Sequence, residues 1–223
     1  MKGQLPRSGR RVVLGGLALM LLAAGGSRML EGWRLEPLEA YVHAAWWGLP
    51  QQPLPSRLQD WQPDNRNGRA WASFSQATLD HANSKAESDP VTVGQARAAV
   101  ETALMLAPAQ AASWARLSLL RANQGDLAGA RQALKLSFAA GPENRPLAWL
   151  RGRLGLFLWD ELTVPVKAGV AGDLRRVWAQ PASRGLPYPQ DALLRFAHGI
   201  RRLDAVREAL PMGEHALLAE RAV

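Results

Sequence analysis

From residue 69 onward, apolar positions recur every three to four residues in runs separated by short breakers, and no stretch sustains period-two alternation. In ARAAVETALMLA, Ala96, Val100, Ala103, Leu104 and Ala107 line one face. Thr92 and Gln95 form a capping box ahead of that face, and Pro108 ends the helix. Trp114–Asn123 and Leu127–Ala139 read as an antiparallel pair, with Gly125 suited to the C-cap of the first helix and Asp126 to the N-cap of the second. Pro146 falls in the first turn of a helix predicted to run to about Leu162, where its missing N–H has no bond to lose. TVPVKAGVAGDLRRVWAQ follows as a poor helix. After RGLPYP, one strongly amphipathic helix is predicted from Asp191 to about Leu210. It turns Leu193, Phe196, Ala197, Ile200, Leu203 and Val206 inward and Arg195, Arg201, Arg202 and Glu208 outward. The expected fold class of the body is all-α.

The first third of the chain has a different pattern. MKGQLPRSGRR carries four bases and no acid, and VVLGGLALMLLAAGG, Val12 to Gly26, is uncharged and apolar. A helix over those fifteen residues rises about 22 Å against a hydrocarbon core of about 30 Å. Continuing through Arg28, which can snorkel, to Leu30 nearly spans it. Ala24, Gly25, Gly26 and Ser27 also suit a signal peptidase, so an uncleaved signal anchor, a cleaved signal peptide and a buried soluble helix all remain open, the anchor being favoured. In the first two cases the bases hold the N-terminus in the cytoplasm and send the rest outward. In a Gram-negative cell that places an anchored chain in the inner membrane, single-pass, with a periplasmic body. EGWRLEPLEAYVHAAWW is helical in composition, and Pro50, Pro53 and Pro55 break the chain after it. The expected division is a basic tail with the anchor helix over 1–30, a helical juxtamembrane segment and Pro-rich linker over 31–68, and the helical body over 69–223.

Sliding the sequence against itself by thirty-four residues brings Ala96 onto Ala130, Val100 onto Leu134, Ala103 onto Ser137 and Pro108 onto Pro142. Trp71, Phe74, Ser75 and Thr78 copy the pattern around Trp114, but forty-three residues earlier, so the connection SKAESDPVT carries about nine extra residues. The stretch from Trp114 to Pro142 resembles the tetratricopeptide repeat family, whose unit reads W-x2-L-G-x2-Y, then A-x3-F, then P. Trp114, Leu117, Ala130, Leu134 and Pro142 match, while Ser118 replaces the glycine and Arg121 the tyrosine. The resemblance implies a short α-solenoid of antiparallel helix hairpins. Two to three stacked units are expected, with the last helix as a cap.

In that family the first helix of each unit lines a groove that holds a peptide or partner helix. Carried onto this chain, the groove residues are Ala115, Arg116, Leu119, Ala122 and Asn123, then Trp149 and Arg153. The resemblance assigns Arg116, Asn123 and Arg153 to clamping a carboxylate or backbone carbonyls beside apolar Leu119 and Trp149. The overall layout is also similar to that of bacterial membrane-anchored accessory proteins of extracellular-polysaccharide synthesis and export. The expected function is a non-catalytic scaffold for a protein or peptide partner on the envelope side of the membrane. A soluble periplasmic binding module released by signal cleavage is the alternative, and a hydrolase with an unrecognised site is a third reading.

Composition narrows these further. The net charge is +8, but Lys2, Arg7, Arg10, Arg11 and Arg28 supply five of those charges, and the rest of the chain interleaves arginine with acids. That distribution argues against a nucleic-acid partner. No cysteine is present, which excludes disulfides, thiolate metal sites and cysteine nucleophiles. His43, His81, His198 and His215 show no ligand spacing, and adjacent Asp160 and Glu161 cannot face one cleft from consecutive helical positions. No catalytic residue, cofactor or metal is expected.

Overall fold

Residues 67–84, 90–180 and 189–211, the described part of the computed structural model, contain helices and turns and no strand. The predicted anchor and most of the juxtamembrane segment and linker lie outside the described residues. The helices are α1 (Gly68–Ser84), α2 (Pro90–Leu106), α3 (Ala111–Asn123), α4 (Leu127–Ala140), α5 (Ala148–Phe157), α6 (Val164–Trp178), α7 (Pro189–Gly199) and α8 (Leu203–Ala209). Short 3-10 turns, Arg145–Leu147 and Trp159–Glu161, flank α5. All belong to the compact unit Pro63–Val223. They pack in pairs, α1 on α2, α3 on α4 and α5 on α6, while α8 packs on both α6 and α7. Along the chain α3 touches α5 and α5 touches α7, and in the second layer α4 touches α6 and α6 touches α8.

Buried serines fix the pairing. Ser75 Oγ on α1 donates to the Ala96 carbonyl on α2 at 2.7 Å, and Ser118 Oγ on α3 donates to the Ala130 carbonyl on α4 at 2.8 Å. Both hydroxyls are wholly enclosed. The donors are the serines forty-three residues apart and the acceptors the alanines thirty-four apart, so the two pairs share one register despite the longer α1–α2 connection. Ser118 therefore has a use at the position where glycine was expected: its hydroxyl is small enough for close approach and ties the helices together. Ser137 adds a third such bond, donating to the Ala111 carbonyl at 2.8 Å.

Glycine does the same job by omission in the third pair. A methyl group at Gly155 would lie 2.3 Å from Val170 Cγ2, and one at Gly169 would lie 2.9 Å from Phe138 Cδ1. Gly169, one of the two glycines that make α6 a poor helix by propensity, therefore lets it pack, and α6 forms fully over fifteen residues. Leu134, Leu156, Val170, Leu174, Leu193 and Val206 fill the main core, each worth about 1.5–3 kcal/mol relative to an exposed position.

Three expected boundaries shift. α2 begins at Pro90, whose fixed φ and missing N–H suit the first helical position, so Thr92 lies inside the helix and does not cap it. The predicted run from Pro146 to Leu162 is interrupted at Leu158. The predicted helix from Asp191 to Leu210 is two helices, broken at Arg201, whose φ is +56°. There Arg202 N–H donates to the Ala197 carbonyl and Arg201 N–H to that of His198, a Schellman turn. Gly125, φ +79°, closes α3 with the same two bonds, Asp126 to Arg121 and Gly125 to Ala122. Asp126 caps α4 as expected, its Oδ1 accepting from Gly129 N–H at 2.9 Å.

The largest fully buried side chain among the described residues is that of Arg151 on α5. Its partner Asp173 on α6 is also fully buried. Arg151 Nε meets Asp173 Oδ2 at 2.7 Å and Nη2 meets Oδ1 at 3.2 Å, a bidentate pair. The guanidinium also donates to the Gly141 carbonyl at 2.7 Å and, at 3.4 Å each, to those of Pro142 and Asn144. Its face lies 4.3 Å from the Phe138 ring centroid. Arg176 approaches Asp173 from outside at 2.8 Å and reaches Glu143 at 2.9 Å.

Two outcomes follow. Arg151→Ala, which strands a buried carboxylate, is expected to cost about 3–5 kcal/mol in urea denaturation, and Arg151→Met with Asp173→Leu to recover most of that loss. Arg201→Gly should raise stability by about 1 kcal/mol and Gly125→Ala lower it by a similar amount, read from thermal melts, because both positions hold positive φ.

Candidate functional site

α3 adjoins α5 and α5 adjoins α7, and the sequence-predicted groove residues divide between α3 and α5. Arg116 leaves the predicted clamp. It is buried, with Nε donating to Gln76 Oε1 at 2.7 Å and Nη1 to the Ala72 carbonyl at 2.5 Å, both on α1. Facing α1 at that depth, its charge serves the contact between the first and second pairs. Ala115 is likewise buried.

Leu119 and Ala122 on α3 and Trp149 on α5 are half-buried and pack onto the same apolar core, each leaving one side to solvent. Arg153, one turn beyond Trp149, is exposed. Its guanidinium carbon lies 5.8 Å from the Trp149 ring centroid and 4.4 Å from that of Phe196 on α7. Such contacts are worth about 0.5–1 kcal/mol each at accessible sites and fix the direction of a long side chain. Partial burial against the rings lowers the Arg153 pKa from the usual guanidinium value. The group stays charged, since guanidinium titrates far above physiological pH.

Asn123 ends α3 and is exposed. The structure thus joins Arg153 to Trp149 and Phe196, while Leu119 packs against both apolar clusters of the body. Phe196 is the member that sequence reasoning missed as a site residue. Its inward position on the amphipathic stripe was legible; its distance from Arg153 depends on α7 packing against α5, which no spacing along the chain encodes.

Other polar groups go to architecture. Asp160 pairs with Arg202 and Glu161 with Arg131, so the adjacent carboxylates point to different neighbours. Trp159 Nε1 donates to Glu208 at 3.3 Å, and Lys167 lies over the Trp159 ring. Arg121, standing where the repeat pattern has tyrosine, donates to the Gly129 carbonyl at 3.3 Å and approaches Glu101 and Asp126 at 3.9 Å. Among the described residues no histidine or carboxylate group has the grouping of a metal site. No described helix is long and apolar enough to cross a membrane.

No family model, curated protein or solved structure matches the chain.

The two arginines are separable by experiment. Arg116→Ala is expected to cost about 1–3 kcal/mol, because it removes a charged donor from enclosed partners. Arg153→Ala should cost about 0.5–1 kcal/mol, read from urea midpoints under the same conditions.

Proposed function

We propose that this chain is a non-catalytic scaffold built as a short tetratricopeptide-like solenoid, which holds a segment of a partner protein across α3, α5 and α7. The observation that carries the proposal is Arg153, a solvent-accessible cation held against the rings of Trp149 and Phe196. Apolar area with one oriented cation is suited to a peptide that presents a carboxylate or a row of backbone carbonyls. The shared register of the Ser75 and Ser118 bonds supports a repeat architecture, since each pair covers the apolar face that its neighbour cannot bury alone.

In this reading the N-terminal basic and apolar segment holds the body on the envelope side of a bacterial inner membrane, and the chain is accessory to extracellular-polysaccharide synthesis or export. The support is the order of charge and apolarity over residues 1–30 and the overall layout.

The test is crosslinking and affinity capture of the full-length chain from its own envelope fraction, comparing wild type with Arg153→Glu and Leu119→Asp. Capture of a defined partner that falls at least about tenfold in both variants, with unchanged helicity by circular dichroism, is expected, because charge reversal and apolar loss each remove about 1.4 kcal/mol or more. Undiminished capture in both variants contradicts the groove. Intact mass of the extracted protein decides the anchor: retention of Met1–Ser27 is expected, and their loss would favour a released periplasmic module.

A further inference from the structure

A second surface lies on the opposite layer. Val91 and Met105, at the two ends of α2, are 66% and 78% exposed, and Leu106 beside Met105 is 42% exposed. Between them Gly94, Gln95 and Ala98 are also exposed, and a methyl group at Gly94 would meet nothing within 4 Å. At helical spacing Val91, Gly94, Ala98, Thr102 and Met105 form one uncharged stripe along the seventeen-residue helix. Thr102 Oγ1 is satisfied within the helix by the Ala98 carbonyl at 2.9 Å, so the stripe carries no unmet donor.

The positions on this face are spaced alike from either end, with an apolar side chain at each extremity. Val91 and Met105 each lie seven residues from Ala98, Gly94 and Thr102 four, and Gln95 and Glu101 three. One flank carries Arg97 and Glu101, an i,i+4 ion pair at 3.0 Å with both side chains more than a third exposed; Arg97 Nη1 also donates to Gln124 Oε1 at 2.7 Å, and Glu101 lies 3.9 Å from Arg121. The other carries Gln95 and Thr102. A two-fold axis level with the Ala98–Ala99 peptide, perpendicular to an antiparallel helix pair, brings each flank against its own copy. At 1.5 Å per residue, Arg97 of one helix then lies about 1.5 Å along the helix axis from Glu101 of the second, and Gln95 falls level with Thr102, while the small residues at the centre permit close approach of the helices.

We propose that the outer face of α2 is a self-association surface, on which α2 of a second copy packs antiparallel about a two-fold axis level with the Ala98–Ala99 peptide. Self-complementary charge on one flank and bulk at both ends specify this occupant: a parallel arrangement would set the Arg97–Glu101 flank against the uncharged Gln95–Thr102 flank. One helix face about 25 Å long buries less than the roughly 800 Å² per partner of a standard interface, so association is weak and depends on concentration.

The absence of cysteine makes the test direct. Full-length Ala98→Cys is oxidised at about 10–100 μM, a range suited to a weak dimer, beside an exposed control on α4, Gln132→Cys. Self-association predicts a disulfide-linked dimer forming at least about tenfold faster at position 98, where symmetry brings two identical residues within disulfide reach. Arg97→Glu in that background should slow crosslinking, and adding Glu101→Arg should restore it. Equal rates at positions 98 and 132, or a rate at 98 indifferent to Arg97→Glu, would overturn the proposal. Unchanged helicity of each variant by circular dichroism confirms that the comparison concerns the surface.

Discussion

The third helix pair and the turn that leads into it converge on one buried guanidinium. Arg151 is fully enclosed, and a charge in that position is tolerable only if every donor is met. Asp173 takes two of its N–H groups, and the carbonyls of Gly141, Pro142 and Asn144 take others. The consequence is geometric as much as energetic. Five oxygens from α6 and from the α4–α5 connection must sit around one plane, which fixes where α5 starts relative to the end of α4 and how α6 returns along it. Phe138 of α4 closes the remaining face of that plane.

From that fixed point the rest of the core is apolar filling. Gly155 and Gly169 allow Val170 and Phe138 to reach the positions the pair demands, and Leu193, Leu194, Ala197 and Val206 of α7 and α8 cover the apolar side that α5 and α6 leave open. The first two pairs are tied differently, through serine hydroxyls onto helix carbonyls, with Arg116 bridging from α3 to α1. Among the described residues the buried charges are Arg116, Arg151 and Asp173, which serve as structural ties, and Arg153 is the one among the predicted groove residues that keeps solvent access together with an aromatic cradle.

How much of this was legible varied with the physical source of each signal. Helical periodicity and the Gly-Asp turn between α3 and α4 were plain in the sequence, because Gly125 advertises the positive φ that its turn requires. The equivalent turn after α7 was hidden: Arg201 takes the same left-handed conformation without any residue type to announce it, so two helices read as one. α6 was undervalued because propensity penalises Gly169 and Gly172, whereas packing against Phe138 requires the first of them to be small. Arg116 and Arg151 were beyond reach for a common reason. An arginine on a helix reads as solvated unless its partners are known, and Gln76, Ala72 and Asp173 stand twenty-two to forty-four residues away in the chain. Of the candidate site, Leu119, Trp149 and Arg153 were named by the tetratricopeptide resemblance, and Phe196 entered only with the packing of α7.

The most direct test of the central interaction is arginine side-chain hydrogen exchange followed by NMR. If Arg151 is enclosed and bidentate with Asp173, its Nε–H resonance persists long after transfer into heavy water, while that of exposed Arg175 disappears at once. Exchange of Arg151 as fast as that of Arg175, in protein that remains folded, would contradict the account of how the third pair is held.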